Sequence, residues 1–241
     1  TLGSASAWYR NAIYFYLHFQ YNGWFIMSIF GLFYNILEDQ QIMKHRMMNP
    51  YIFRLFVSGV ILTFFLSLLW MKPHFSFHIL SIIGALFQII AFVLIMKNIH
   101  KIRAEIRRGL SRRVGLLLKT VVILFSLKLI AQLLGGMPQF AEIRATNKDL
   151  IIGYLHWVFL GVATISIFAY LTHKGLMYIA KYKFFLFLIG FLLMEGLIFY
   201  KAFIVWSNRA LVTNYYSLLF AVSLLLFISI GVILFQQKKN R

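Results

Sequence analysis

Seven apolar runs, each about as long as a lipid bilayer is thick, dominate this chain of 241 residues. They cover residues 12–37, 51–70, 75–96, 114–134, 150–171, 178–200 and 214–235. A helix rising about 1.5 Å per residue needs roughly 20 such residues to cross about 30 Å of hydrocarbon. Inside lipid the backbone must satisfy its own hydrogen bonds, so only helices or closed barrels can span. These runs are about twice the length of a barrel strand. The expected fold is therefore all-α: a polytopic transmembrane helical bundle of about seven helices, forming a single integral membrane domain over residues 1–241.

Composition agrees, with 61% of residues hydrophobic and only 12% charged, against roughly 25% charged in a soluble domain. The net charge of +18 would suggest nucleic acid in a soluble protein. Here the cations sit in short loops between apolar runs, where they orient the chain and meet anionic headgroups. A lipid bilayer is thus the expected partner, and nucleic acid is not. One alternate set of loops holds Lys44, Arg46, Lys97, Lys101, Arg103, Arg107, Arg108, Arg112, Arg113, Lys119, Lys174, Lys181, Lys183, Lys238, Lys239 and Arg241. The other holds Arg10, Lys72, Arg144, Lys148, Lys201 and Arg209, partly offset by Glu142 and Asp149. The positive-inside rule puts the first set in the cytoplasm, with the N-terminus outside and the C-terminus cytoplasmic. Within the long basic stretch from Lys97 to Arg113, the spacing of Ile99, Ile102, Ile106 and Leu110 fits either a short amphipathic helix or a solvated linker. Pro50 and Pro73 precede the second and third helices, and Pro138, after Gly135 and Gly136, is expected to close the fourth.

Ionisable groups at membrane depth are costly and usually face a bundle interior or a cavity. Four lie within the runs: His18, Lys128, His156 and Glu195. Counted from Arg10 and Asp149, the two histidines are expected roughly 10 to 12 Å below the outer boundary, and Glu195 about 9 Å below it. Lys128 is deeper and shares a helix face with Gln132. Lys128 and Glu195 have the charges for a buried ion pair, and also for a proton-relay or propionate-binding role.

The two histidines share local sequence. Tyr16-Leu17-His18-Phe19 and Tyr154-Leu155-His156-Trp157 are each followed, after three residues, by Gly23 and Gly161. This weak internal repeat suggests paired ligands, since neutral imidazole ligates haem iron and copper and a nearby glycine admits a flat macrocycle or another backbone. Each histidine can equally hydrogen-bond a neighbouring helix. Asn22 and Gln20 suit interhelical hydrogen bonding. His74 and His78, at i and i+4 after Pro73, form a weaker metal candidate. With no cysteine there is no disulfide or thiolate site. No phosphate loop, serine–histidine–acid order or zinc-protease motif occurs. Only six acidic residues are present, so acid–base hydrolysis has little to work with and no catalytic residue is assigned.

The segment Tyr14-Phe15-Tyr16-Leu17-His18-Phe19-Gln20-Tyr21-Asn22-Gly23-Trp24 resembles a group of bacterial membrane proteins with the fold of cytochrome c and quinol oxidase subunit I. These haem-copper oxidase subunit I-like proteins are similar in kind to the NnrS haem-copper proteins. The stretch from Tyr154 to Gly161 looks like a second motif of the same group. The resemblance implies a bacterial inner-membrane protein that binds haem or copper through His18 and His156, with Asn22, Lys128, Gln132 and Glu195 around the ligands. Members generally carry a further N-terminal part, so the resemblance implies that Thr1 begins partway through such a protein. Missing N-terminal helices or other membrane subunits are then expected partners. The chain departs from the oxidases in lacking an adjacent histidine pair, a His-Pro-Glu and a His-x-x-x-Tyr motif. Redox, sensing or haem-handling chemistry is accordingly expected in place of oxygen reduction. The rival expectation is a small-molecule or ion transporter whose cavity uses the same polar cluster. A third is an assembly subunit whose polar groups serve packing.

Overall fold

The computed structural model describes Gly3, residues 6–42 and residues 49–239. Lys44, Arg46 and Arg241 of the basic loop set lie outside the described residues. The regular structure among the described residues is all helical: α1 (Ala7–His18), a π-helix (Phe19–Phe25), α2 (Ile26–Asp39), α3 (Pro50–Leu68) with a 3-10 turn (Leu69–Met71), α4 (Ser76–Lys101), α5 (Arg103–Gly109), α6 (Arg112–Gly135), α7 (Pro138–Thr146), α8 (Lys148–His156), a second π-helix (Trp157–Ala163), α9 (Thr164–His173), α10 (Lys181–Trp206) and α11 (Tyr215–Lys239).

Six helical segments of 21 to 26 residues are long and apolar enough to cross a membrane. The protein is a polytopic helical membrane protein. The first run, 12–37, expected as a seventh span, lies within the helical stretch 7–39, which is not among the six. Arg10, Asn11, His18, Gln20, Asn22, Asn35, Glu38 and Asp39 dilute its apolar character. Large apolar side chains point outward along the spans, among them Phe220, Phe227 and Phe235, each at least 70% exposed. In water such surface would drive association; in lipid it is the solvated surface.

Local sequence sets several boundaries. The Asn49 side chain accepts from Tyr51 N–H at 2.9 Å and Pro50 occupies the first turn of α3, where a missing N–H costs nothing. Asn147 caps α8 in the same way, accepting from Asp149 N–H at 3.1 Å. Pro138 does not close the fourth helix. That helix has already ended at Gly135, with Gly136 and Met137 N–H bonded to the Leu133 and Leu134 carbonyls. Pro138 instead opens α7. The stretch after Lys97 is helical, continuing α4 to Lys101 and re-forming as α5 after Ile102.

The chain divides into two compact units, Thr1–Gly109 with Ser126–Ala145, and Leu110–Phe125 with Thr146–Arg241. In the first unit α3 and α4 meet backbone to backbone. A Cβ on Gly59 would lie 2.7 Å from the Gly84 carbonyl oxygen, and one on Gly84 would lie 2.7 Å from Thr63 N. Small residues at such crossings let helices gain dispersion contacts and interhelical hydrogen bonds, the forces available when lipid is as apolar as leucine. α1 joins them through Arg10, which sits 3.9 Å over the Trp70 ring, and through Trp70 Nε1, which donates to Asn11 Oδ1 at 3.2 Å. In the second unit, α8 and α10 are tied by Asn147 Nδ2 donating to the Ala202 carbonyl at 2.7 Å and by a Lys201–Asp149 ion pair at 2.9 Å. Gln237 of α11 holds the loop at Tyr178, accepting from its N–H and donating to its carbonyl, both at 2.8 Å.

Candidate functional site

The two Tyr-Leu-His segments fold alike. In each, the histidine is the last residue of an α-helix, and a seven-residue π-helix begins at the next aromatic residue. The N–H after the histidine is shared between carbonyls three and four residues back: Phe19 with Tyr16 and Phe15, Trp157 with Tyr154 and Gly153. The glycine is the fifth π residue in both. Its carbonyl accepts from the first N–H beyond the segment, that of Ile26 or Thr164. A π-helix is rarer than the α form and is frequently found at functional sites. Each unit holds one copy, followed by two long helices, α3 and α4 in the first and α10 and α11 in the second.

The copies differ in what meets the imidazole from the next long helix. In the first unit, His18 is 5% exposed and its Nε2–H donates to the Val60 carbonyl of α3 at 2.8 Å. A carbonyl only accepts, so Nε2 carries the proton and the ring's lone pair is on Nδ1. Nδ1 faces Asn22 Nδ2 and Ser67 Oγ, each at 3.5 Å, and the ring packs edge-on to Phe19 and Phe64. In the second unit, His156 Nδ1 faces the Glu195 carboxyl of α10 at 3.8 Å. The Glu195 side chain is 2% exposed and that of His156 is 40% exposed. Among the described residues, neither Glu195 oxygen nor His156 Nδ1 has a hydrogen bond. The space beside Gly161 is filled by protein: a Cβ there would lie 2.7 Å from the Phe191 ring. The Trp157 indole donates to the Leu124 carbonyl at 2.9 Å, and its ring lies 5.6 Å from that of Phe191. The glycine thus seats an aromatic side chain against the π-helix.

Lys128 and Gln132 belong to the first unit, with His18 and Asn22; Glu195 belongs to the second, with His156. Lys128 is 1% exposed. Its ammonium donates to Gln132 Oε1 and, at 3.5 Å, to Gln88 Oε1. Gln88 Nε2 donates to Thr63 Oγ1 at 2.9 Å, and the Thr63 hydroxyl donates to the Gly59 carbonyl at 2.8 Å, with the Val60 carbonyl at 3.1 Å. A chain of polar contacts therefore runs from Gln132 and Lys128 through Gln88 and Thr63 to the carbonyl that receives His18. Gln88 and Thr63 were not among the residues singled out in the sequence. An uncharged amide centred in an apolar run was the available signal, since it too must find a partner in lipid.

His74 and His78 make separate contacts through their Nδ1 atoms. His74 Nδ1 accepts from Ser76 N–H at 3.3 Å, a local turn contact. His78 Nδ1 donates to the Gly136 carbonyl at 2.9 Å, tying the start of α4 to the end of α6. Among the described residues no group of three or more His, Cys, Asp or Glu could hold a metal ion. No protein-family model, curated protein or solved structure matches the chain.

Proposed function

We propose that this multi-pass membrane protein binds haem or copper through His156, oriented by Glu195, in redox, sensing or haem-handling chemistry. The observation that carries the reading is the pairing of His156 Nδ1 with a buried carboxyl at 3.8 Å, on the copy of a duplicated π-helical device whose partner copy is closed. Metal-ligating histidines commonly direct their second ring nitrogen at a carboxylate, which fixes the tautomer and raises ligand basicity. A proton on Nδ1 directed at Glu195 leaves the Nε2 lone pair for the metal. His18 differs in its surroundings: its Nε2 proton goes to the Val60 carbonyl, and its Nδ1 lone pair lies 3.5 Å from both Asn22 and Ser67 in a residue only 5% exposed. The group itself would supply one-electron exchange or small-ligand binding at iron or copper; the chain supplies the imidazole, the carboxyl that orients it and the aromatic packing of Trp157 and Phe191. The loop charges support a cytoplasmic C-terminus, and the resemblance of the Tyr14–Trp24 segment supports a bacterial inner-membrane setting.

The test is an optical spectrum, oxidised and reduced, with elemental copper analysis, of the full chain purified in mild detergent. A Soret band or bound copper that disappears in His156→Ala and persists in His18→Ala supports the reading. A colourless, copper-free protein overturns it.

The chain of contacts on Lys128 favours a second reading, a small-molecule or ion transporter, since buried ionisable groups in spans often mark substrate or ion pathways. Proteoliposomes carrying a pH-sensitive dye would then show a proton flux that Lys128→Met abolishes, with no cofactor present. A flux unchanged in Lys128→Met removes this reading.

A further inference from the structure

Lys97 and Lys101 lie in the last turns of α4, and Arg103, Arg107 and Arg108 follow in α5. All five are exposed, with Glu105 the one acid among them. Ile102, at φ −104° and ψ 17°, interrupts the helix, and Ile106 N–H bonds the Ile102 carbonyl at 3.0 Å to start the next. Ile99, Ile102 and Ile106 are half-buried and Leu110 is buried, so the elbow turns an apolar edge inward and its cations outward.

The elbow is held in place from below. A Cβ on Gly109 would lie 3.0 Å from Ile42 Cδ1 and 3.4 Å from Gln40 Oε1, at the end of α2. The protein makes little use of the cations itself. Arg103 Nη1 lies 3.3 Å from His100 Nε2, and Arg108 Nε donates to the Ala104 carbonyl at 3.4 Å. None of the five is in an ion pair among the described residues. Their position sets what they can meet. The 26 residues of α4 extend about 39 Å, past roughly 30 Å of hydrocarbon, so the elbow sits at headgroup level.

We propose that the α4–α5 elbow is a binding surface for anionic phospholipids, with Arg103, Arg107 and Arg108 on the headgroup phosphates. The guanidinium fork matches a phosphate with paired N–H donors, and the lysines add unspecific attraction to the same surface. Lipid is favoured over a soluble polyanion because the cations are anchored at the end of a spanning helix.

The experiment places the full chain in nanodiscs of phosphatidylcholine and phosphatidylglycerol in equal parts. The ratio of the two lipids that remain on the protein is read by native mass spectrometry after transfer to detergent. Wild type is expected to retain phosphatidylglycerol selectively. The triple variant Arg103→Gln/Arg107→Gln/Arg108→Gln is expected to lose about tenfold in that selectivity. The matching triple Arg→Lys variant, which keeps the charges, should retain most of it. Equal selectivity in wild type and the glutamine variant overturns the proposal. So does arginine-dependent binding of single-stranded RNA by a protein that shows no preference for phosphatidylglycerol.

Discussion

His18 donates its Nε2 proton to the carbonyl of Val60 at 2.8 Å, a backbone oxygen that also lies 3.1 Å from the Thr63 hydroxyl. One carbonyl of α3 thus gathers the first π-helical copy and the polar chain from Lys128. The donor and its acceptor are both out of reach of water, so losing the imidazole removes a buried hydrogen bond together with the packing of its ring on Phe19 and Phe64. His18→Ala should lower stability by about 1–3 kcal/mol, measured by unfolding in detergent. His18→Gln, with an amide donor of similar reach, should recover part of the loss. Full stability in the alanine variant would remove the structural role.

Gly84 has no room for a methyl group, because the obstructing atoms are Thr63 N and the Gly59 carbonyl, at 2.7 and 2.9 Å. Backbone cannot rotate aside, so α3 and α4 must separate. Gly84→Ala should destabilise by about 2–3 kcal/mol. Gly31, in α2, has nothing within 4 Å of its Cβ position. Gly31→Ala should be neutral or stabilise by up to about 1 kcal/mol. Comparable losses in both variants would contradict the close crossing.

Thr63 and Gln88 share a hydrogen bond of 2.9 Å within the membrane interior. Interhelical hydrogen bonds in lipid average about 0.6 kcal/mol in double-mutant cycles. Thr63→Val and Gln88→Leu should therefore couple by about 0.5–1.5 kcal/mol, the two losses failing to add. Strict additivity would show that the bond contributes nothing.

His156 and Glu195 carry the functional prediction. His156→Gly should lose the colour or copper of the wild type, and free imidazole should restore it by occupying the vacated position. Glu195→Gln keeps the shape and replaces the carboxyl with an amide, so it should shift the reduced spectrum or the potential without emptying the site. No change in spectrum or potential in Glu195→Gln would show that the carboxyl does not orient the ligand.

The Lys201–Asp149 pair, 2.9 Å long and with both side chains about a quarter exposed, should couple by about 0.5–1 kcal/mol after allowance for solvent screening. The coupling should fall further in about 1 M salt. A salt-independent value would indicate a pair shielded from water.

Much of the fold follows from the chain read in order. Proline and asparagine mark the starts of α3 and α8 because their effects act within one turn of backbone. Pro138, three residues past the end of α6, opens α7, because a proline suits a helix's first turn as well as the stretch after a helix end. The matched Tyr-Leu-His-aromatic motifs were visible as letters, but not that they would form π-helices. A π-turn leaves no periodicity of its own in the residues. Gln88 and Thr63 were passed over because neutral polar groups cost less in lipid than charges and stand out less from an apolar run.

By itself the sequence determined that this protein is a set of membrane-spanning helices, because long uncharged runs in lipid can satisfy their backbone in hardly any other way. It also determined which few residues carry costly polar groups to membrane depth. Only the tertiary structure decided how those groups are used. Val60 comes to His18 from a different helix, and Glu195 comes to His156 likewise. Nothing in two near-identical motifs distinguishes an imidazole locked on a carbonyl from one set beside a carboxyl, because the difference lies in the neighbour.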